Sequence, residues 1–296
     1  MNKEILASIN KKFGSDLRLI KRFPSGIANE NYLLENSSKQ KVVARILVDQ
    51  PLENLPLELD LQKHILSKGI KTPLLLCEEG EPIIVKSEGK SLTLTKFIES
   101  DNFTKVTDEL IKETGRILAR LQSALRSFNT SRIPPNYLSP EYQSKLKFKN
   151  ETLIIKPEVK EVLDSLRKSL DKLELPKTII HADLNKGNYL VKKSKIVAIL
   201  DLETVEVNYR ILDLAAVIHH RVVAEDCVNK KTVNLLLSGF EEVEKLTDLE
   251  KETLSLATQY SAACFSYWCL ATQPYTENSL EDFCELQREI KASFEK

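Results

Sequence analysis

A chain of 296 residues is long enough for one large domain or two modest ones with a self-sufficient apolar core. Its 43 basic residues balance 43 acidic ones, so no global field draws it to nucleic acid or to an anionic membrane surface. Five scattered cysteines without a Cys-x-x-Cys pair argue against a disulfide framework and a zinc site, and no run of about 18 apolar residues or signal-type start occurs, which together favour a cytoplasmic setting.

From Leu17 to about Glu99 the sequence reads mainly as strands. Asn31–Glu35, Lys41–Val48, Glu81–Lys86 and Leu92–Ile98 are β-branched or alternating, and Gly, Asn, Ser and Pro separate them, as in an antiparallel meander. One helix interrupts them at Leu55–Ser67, with Pro56 in its first turn and Gly69 beyond its end. After Ser100 the apolar period becomes helical: Leu110, Ile111, Ile117, Leu118, Leu121 and Leu125 share roughly one face of Val106–Phe128. Residues 132–150, with Pro134, Pro135 and Pro140, read as a connecting loop, and Val159–Leu173 as helix. Short strands follow near Thr178–Ile180 and Ile196–Leu200, then helices from Ile211 to Phe294, with turns near Lys245–Thr247 and Pro274. Cys264 and Cys269 fall in an apolar helical stretch and read as small core residues. The expected fold is therefore bilobal α+β: an antiparallel sheet with one helix over residues 1–98, and a larger, mostly helical lobe over 99–296. A ligand is expected in the cleft between such lobes.

The segment Ile179–Ala216 carries the chemistry. A strand runs into His181, Ala182 and Asp183, a loop ends at Asn188, and an apolar hairpin ends at Asp201, with Asp213 twelve residues further on. Phosphoryl transfer needs a carboxylate that orients an acceptor hydroxyl and takes its proton, and hard oxygen ligands that hold a divalent ion on the phosphates. Asp183 suits the first task; Asn188 and Asp201 suit the second. Singly, each is an ordinary turn or strand-end residue. Together, in the pattern His-x-Asp-x4-Asn followed by a hairpin closing on Asp, they point to a kinase.

This segment, HADLNKGNYLV with ILDLETVEVNYRILDLA, resembles the catalytic segment of the aminoglycoside phosphotransferase superfamily, which also holds choline kinases, methylthioribose kinases and type II homoserine kinases. The resemblance implies a protein kinase-like fold, ATP and Mg2+ as cofactors, a small-molecule hydroxyl as acceptor, Asp183 as catalytic base, and His181 and Asp213 as braces of the loop. It covers most of the chain more weakly. SGIANENYLLE followed by VVARI is similar to the phosphate-covering hairpin and cation-bearing strand, which assigns Ser25, Gly26, Asn29 and Arg45 to the nucleotide. Arginine replaces the lysine of many relatives and can grip phosphate bidentately. Glu58, with Asp60 as its rival, is the helix carboxylate expected to fix Arg45. The segment LTKFIES stands where the family has its hinge, so that backbone groups of Lys96, Phe97 and Ile98 would pair with adenine.

The order of helix, G-I-x-x-P, strand and hinge leans toward the homoserine kinase branch, with an amino alcohol or amino-acid hydroxyl as acceptor and a sugar or aminoglycoside as the alternative. A cationic acceptor would call on Glu203, Glu206, Tyr209, Glu225 or Asp226, with Tyr267 and Trp268 as an aromatic wall; solvated helix ends and ordinary core packing account for the same residues. A protein kinase is disfavoured because no Asp-Phe-Gly to Ala-Pro-Glu activation segment is present, and a non-catalytic module because Asp183, Asn188 and Asp201 are all retained.

Overall fold

The computed structural model describes residues 1–23, 29–48, 51–101, 106–147, 155–223, 229–272 and 279–294. The chain divides into two compact units, Met1–Asp101 with Val197–Glu203, and Asn102–Ile196 with Thr204–Lys296. The short return segment was expected in the second unit. It belongs to the first, where the Ile199 N–H donates to the Lys71 carbonyl at 2.8 Å.

The first unit opens with a helix that the sequence reading did not identify, α1 (Lys3–Phe13). Asn2 caps it by accepting from the Ile5 N–H, and Gly14 ends it in the left-handed conformation at φ 55°. Then come β1 (Arg18–Arg22), β2 (Asn29–Glu35), β3 (Lys41–Leu47), α2 (Leu55–Ser67), β4 (Cys77–Glu78), β5 (Glu81–Pro82), β6 (Ile84–Ser87) and β7 (Lys90–Lys96). Five of the strands form one antiparallel sheet in the order β1-β2-β3-β7-β6. The expected strand over Glu81–Lys86 is two: Pro82 has no N–H for a continuous ladder, and the chain changes partner from β4 to β7 after it.

Alternation along the strands decides what each helix meets. Tyr32, Leu34, Ala44, Ile46, Leu92 and Leu94 cluster with Ile5 and Ile9 of α1. Leu47 packs instead with Leu55 and Leu59 of α2. Arg45, between Ala44 and Ile46, has the opposite sense from them, and it is α2 that it meets.

The second unit contains α3 (Asp108–Arg126), α4 (Pro140–Lys145), α5 (Ile155–Leu170), β8 (Lys177–Ile180), β9 (Tyr189–Lys192), β10 (Lys195–Ile199, whose last residues pass into the first unit), β11 (Glu206–Tyr209), α6 (Ile211–Val223), α7 (Lys230–Glu241), α8 (Asp248–Thr272) and α9 (Ser279–Phe294). Thr107 caps α3 by accepting from the Leu110 N–H, with Asp108 and Glu109 in the first turn where the helix dipole favours them. The expected loop over 132–150 contains α4. Ser139 caps it and Pro140 occupies its first turn, a position where proline's missing N–H is no loss. Antiparallel pairing of β8 with β11 sets Glu206 opposite Ile180, the residue before His181. Among the described residues no helix is long and apolar enough to cross a membrane. Cys77, Cys264, Cys269 and Cys284 are free thiols, and Cys264 is fully buried, as a core residue would be.

Candidate active site

β8 delivers the chain to a loop whose backbone is held in an uncommon shape. Ala182 has φ 68°, a left-handed conformation that costs an alanine about 1 kcal/mol and persists only where neighbours impose it. Asp213, on the first turn of α6, accepts from the Ala182 N–H at 2.8 Å, and the buried Tyr137 hydroxyl donates to the Ala182 carbonyl at 2.7 Å. Gln122 of α3 donates to the other Asp213 oxygen at 3.0 Å. His181 is fully buried; its Nδ1 accepts from the Asp183 N–H at 3.3 Å and its carbonyl accepts from the Thr204 hydroxyl at 2.9 Å. His181 and Asp213 thus each accept a backbone N–H of this loop.

Asp183 follows, and three side chains converge on its carboxylate. Asn185 Nδ2 donates to Oδ1 at 2.8 Å, Asn188 Nδ2 donates to Oδ2 at 2.8 Å and to the Asp183 carbonyl at 2.7 Å, and His220 Nε2 lies 2.7 Å from Oδ1. Burial pushes the Asp183 carboxyl up, but the His220 and Asn185 contacts outweigh it and hold it below the usual carboxylate range. The group is therefore an oriented, ionised carboxylate at neutral pH. His220 is not among the residues expected from the sequence. The available signal was spacing: seven residues beyond Asp213, it returns to the same face of the same helix.

In the first unit, Arg45 Nη2 donates to Glu58 Oε2 at 2.7 Å. Glu58 is the partner, and Asp60, two residues on and so about 200° around the helix, is not. Glu58 is itself fixed by Gln62, whose Nε2 donates to it at 3.1 Å and whose Oε1 accepts from the Leu75 N–H at 2.8 Å. Burial would push the Arg45 guanidinium down, but Glu58, Glu203 and Asp201 reverse this and push it up, so the cation is permanent. Glu203 was expected to contact the acceptor. Its carboxylate instead lies 3.7 Å from Arg45 and accepts from Asn29 Nδ2 at 3.0 Å, inside the first unit. Asp201 also takes a left-handed backbone, φ 61°, which aspartate tolerates better than most residues.

Magnesium takes oxygen ligands and retains waters. Asn188 spends its amide nitrogen on Asp183 and keeps its amide oxygen as a group of that type, and Asp201, in the first unit, carries a carboxylate. At the expected hinge, the Lys96 N–H is already taken by the Leu74 carbonyl at 3.0 Å because β7 is still paired there. Of the three residues expected to meet adenine, Lys96 therefore has its backbone N–H engaged within the first unit. Ser25, Gly26, Glu225 and Asp226 lie outside the described residues.

Two further expected acceptor contacts are engaged elsewhere. The Tyr209 hydroxyl donates to Asp171 Oδ1 at 2.7 Å, with the Arg167 guanidinium over its ring. Glu206 is 0% exposed and accepts from the Asn136 N–H at 2.8 Å and from Asn208 Nδ2 at 3.0 Å. The inward sense of β11 at this position takes it away from solvent, and burial pushes its carboxyl up to about 7, against the pull of both hydrogen bonds. Because the folded protein holds this proton more tightly than the unfolded chain, the associated stability is complete below about pH 4.5 and is lost as pH rises through about 7. Wild type is expected to lose roughly 2 to 3 kcal/mol relative to Glu206→Gln between pH 5 and pH 8. Urea unfolding of both proteins at the two pH values measures this, and a constant difference between them would contradict it. On α8, Tyr267 is buried, while Trp268 is half-buried and stacks on Phe265 with centroids 6.0 Å apart.

Comparison with known proteins gives the family and the fold. A family model described as the phosphotransferase enzyme family matches residues 19–230. Homoserine kinase of Agrobacterium fabrum (strain C58 / ATCC 33970) is 25% identical over 252 residues, covering 83% of this chain and 77% of that protein. Among solved structures, amicoumacin kinase hAmiN in complex with AMP-PNP, Ca2+ and Ami is similar at a TM-score of 0.72 and 14% identity, over 99% of this chain and 97% of that one. A microcompartment-associated aminopropanol kinase reaches a TM-score of 0.72 at 14% identity, over 96% and 94% of the two chains. These structural likenesses establish the bilobal protein kinase-like α+β fold.

Proposed function

The chain belongs to the phosphotransferase enzyme family and is a small-molecule kinase, and from that premise we propose that it moves the γ-phosphate of ATP to the hydroxyl of an amino alcohol or amino acid, homoserine first among them. The observation that carries this reading is the Asp183 carboxylate, ionised and held by Asn188 within the His-x-Asp-x4-Asn loop. Asp183 accepts a hydrogen bond from the acceptor hydroxyl and takes its proton as that oxygen attacks the γ-phosphorus; the bond from phosphorus to the bridging oxygen breaks and ADP leaves. Arg45, steadied by Glu58, is the phosphate-contacting cation, and its planar guanidinium suits two phosphate oxygens at once. Asn188 and Asp201 are the proposed ligands of Mg2+, which supplies charge neutralisation on the phosphates when bound.

The choice of homoserine rests on the homoserine kinase relatives, and the wider class of amino alcohols on the likeness to an aminopropanol kinase. A coupled ADP-release panel over homoserine, 1-amino-2-propanol, choline, ethanolamine, methylthioribose and kanamycin, with and without Mg2+, tests both levels. Turnover of homoserine that EDTA abolishes is expected. Turnover of kanamycin or methylthioribose alone would overturn the acceptor class, and no ATP-dependent turnover of any alcohol would overturn the proposal.

A further inference from the structure

His220 stands beside the reacting carboxylate, and the family pattern that marks Asp183, Asn188 and Asp201 does not extend to it. Its side chain is only 9% exposed, so water is a poor substitute for its partner, and its Nε2 lies 2.7 Å from Asp183 Oδ1. The ring is held on both sides. His219 lies against it with centroids 4.0 Å apart and is itself anchored by the Ser261 hydroxyl at 3.0 Å from Nδ1. Phe265 of α8 meets it edge-on at 4.9 Å and is backed by Trp268.

A carboxylate offers about four lone-pair directions, two on each oxygen. On Asp183, Oδ1 faces both Asn185 Nδ2 and His220 Nε2, whereas among the described residues Oδ2 accepts one bond, from Asn188. The open direction is therefore on Oδ2. We propose that His220 is a positioning residue: together with Asn185 it occupies Oδ1, fixes the torsion of the Asp183 carboxylate, and reserves Oδ2 for the acceptor hydroxyl. The inference rests on Asp183 being the base. Its kinetic signature belongs to the chemical step, because His220 acts only on the geometry from which the proton is taken.

The test compares His220→Gln, His220→Asn and His220→Leu in the full chain with MgATP and homoserine, or, should homoserine be inert, the panel alcohol of highest turnover. A glutamine amide reaches about as far as Nε2 and can donate to Oδ1; the shorter asparagine amide does not, and leucine fills the space without a donor. His220→Gln is expected within about threefold of the parent kcat, and His220→Asn and His220→Leu about 10- to 30-fold below it, with both KM values within threefold throughout. If the leucine variant does not fold, the comparison of Gln with Asn still decides. Equal kcat for Gln and Asn, or losses confined to KM, would overturn the role. In an Asp183→Asn background, further substitution at 220 is expected to change the residual rate less than twofold, since the group being positioned is gone. A full additional loss there would overturn it too. Near-parental activity of Asp183→Asn itself would instead sink the underlying assignment of the base, so the two failures are separable.

Discussion

Asp183→Asn should lower kcat by about three orders of magnitude and leave the affinity for ATP within about twofold of the parent. A positioned general base contributes roughly 10²- to 10⁴-fold, and a carboxamide cannot take a proton at neutral pH. The effect is mainly on chemistry because the strained backbone that leads into the loop does not depend on this carboxylate: Ala182 is pinned by Asp213 and Tyr137, and His181 by Thr204. The amide nitrogen of the variant will face one of the donors from Asn185, Asn188 or His220, so the cost in stability is about that of one or two hydrogen bonds, on the order of 1 to 3 kcal/mol. Asp201→Ala should behave differently, with weaker binding of Mg2+-nucleotide alongside the loss of turnover, because its proposed task is to hold the ion. Steady-state kinetics with calorimetric titration of AMP-PNP separates the two. A Asp183→Asn enzyme within tenfold of parental kcat would remove Asp183 from the role of base.

The hydrogen-bonded grouping around the proposed catalytic loop was legible because its information is local. Asp183, Asn188, His181 and Asp213 lie within 33 positions in a pattern set by one strand, one loop and one helix start, and the hydrogen bonds that join them run along that same stretch. Arg45 and Glu58 were legible as a strand cation and a helix acid, but choosing between Glu58 and Asp60 required knowing which face of α2 meets the sheet. What stayed hidden depends on contacts distant in sequence. The partners of Glu203 are Arg45 and Asn29, more than 150 residues away, so the residue read as a possible acceptor contact is part of the first unit. Glu206 and Tyr209 were candidates for a cationic acceptor, but the pairing of β11 with β8 and the approach of Asn136 and Asp171 give them other partners. The helix α1 carried legible caps, Asn2 and Gly14, that went unused, and in α4 the proline taken as a breaker is a helix initiator.

The glycine near the middle of α3 gave no sequence signal at all, yet replacing it should cost as much stability as any substitution considered. Gly115 faces Gly239 of α7 across a crossing so close that a Cβ at 115 would stand 2.1 Å from the Leu236 carbonyl oxygen and one at 239 would stand 2.0 Å from that of Lys112. Ordinary carbon to oxygen contacts begin near ~3.3 Å, so the helices must part by roughly 1 Å to admit either methyl group. On an exposed helix, glycine to alanine gains about 1 kcal/mol from propensity. Here the clash is with backbone, which no rotamer change relieves, and Gly115→Ala is expected to destabilise by about 3 kcal/mol. Gly239→Ala should cost about the same. The double variant should cost well under the sum, because the separation that admits one methyl already makes room for the other. Two turns along α3, Gln122 holds Asp213, and Asp213 holds the Ala182 N–H, so a displaced α3 should also loosen the catalytic loop and lower kcat several-fold. Denaturant unfolding of the two single variants and the double variant tests the crossing. Full additivity, or a Gly115→Ala protein as stable as its parent, would show that the helices do not meet at these two glycines.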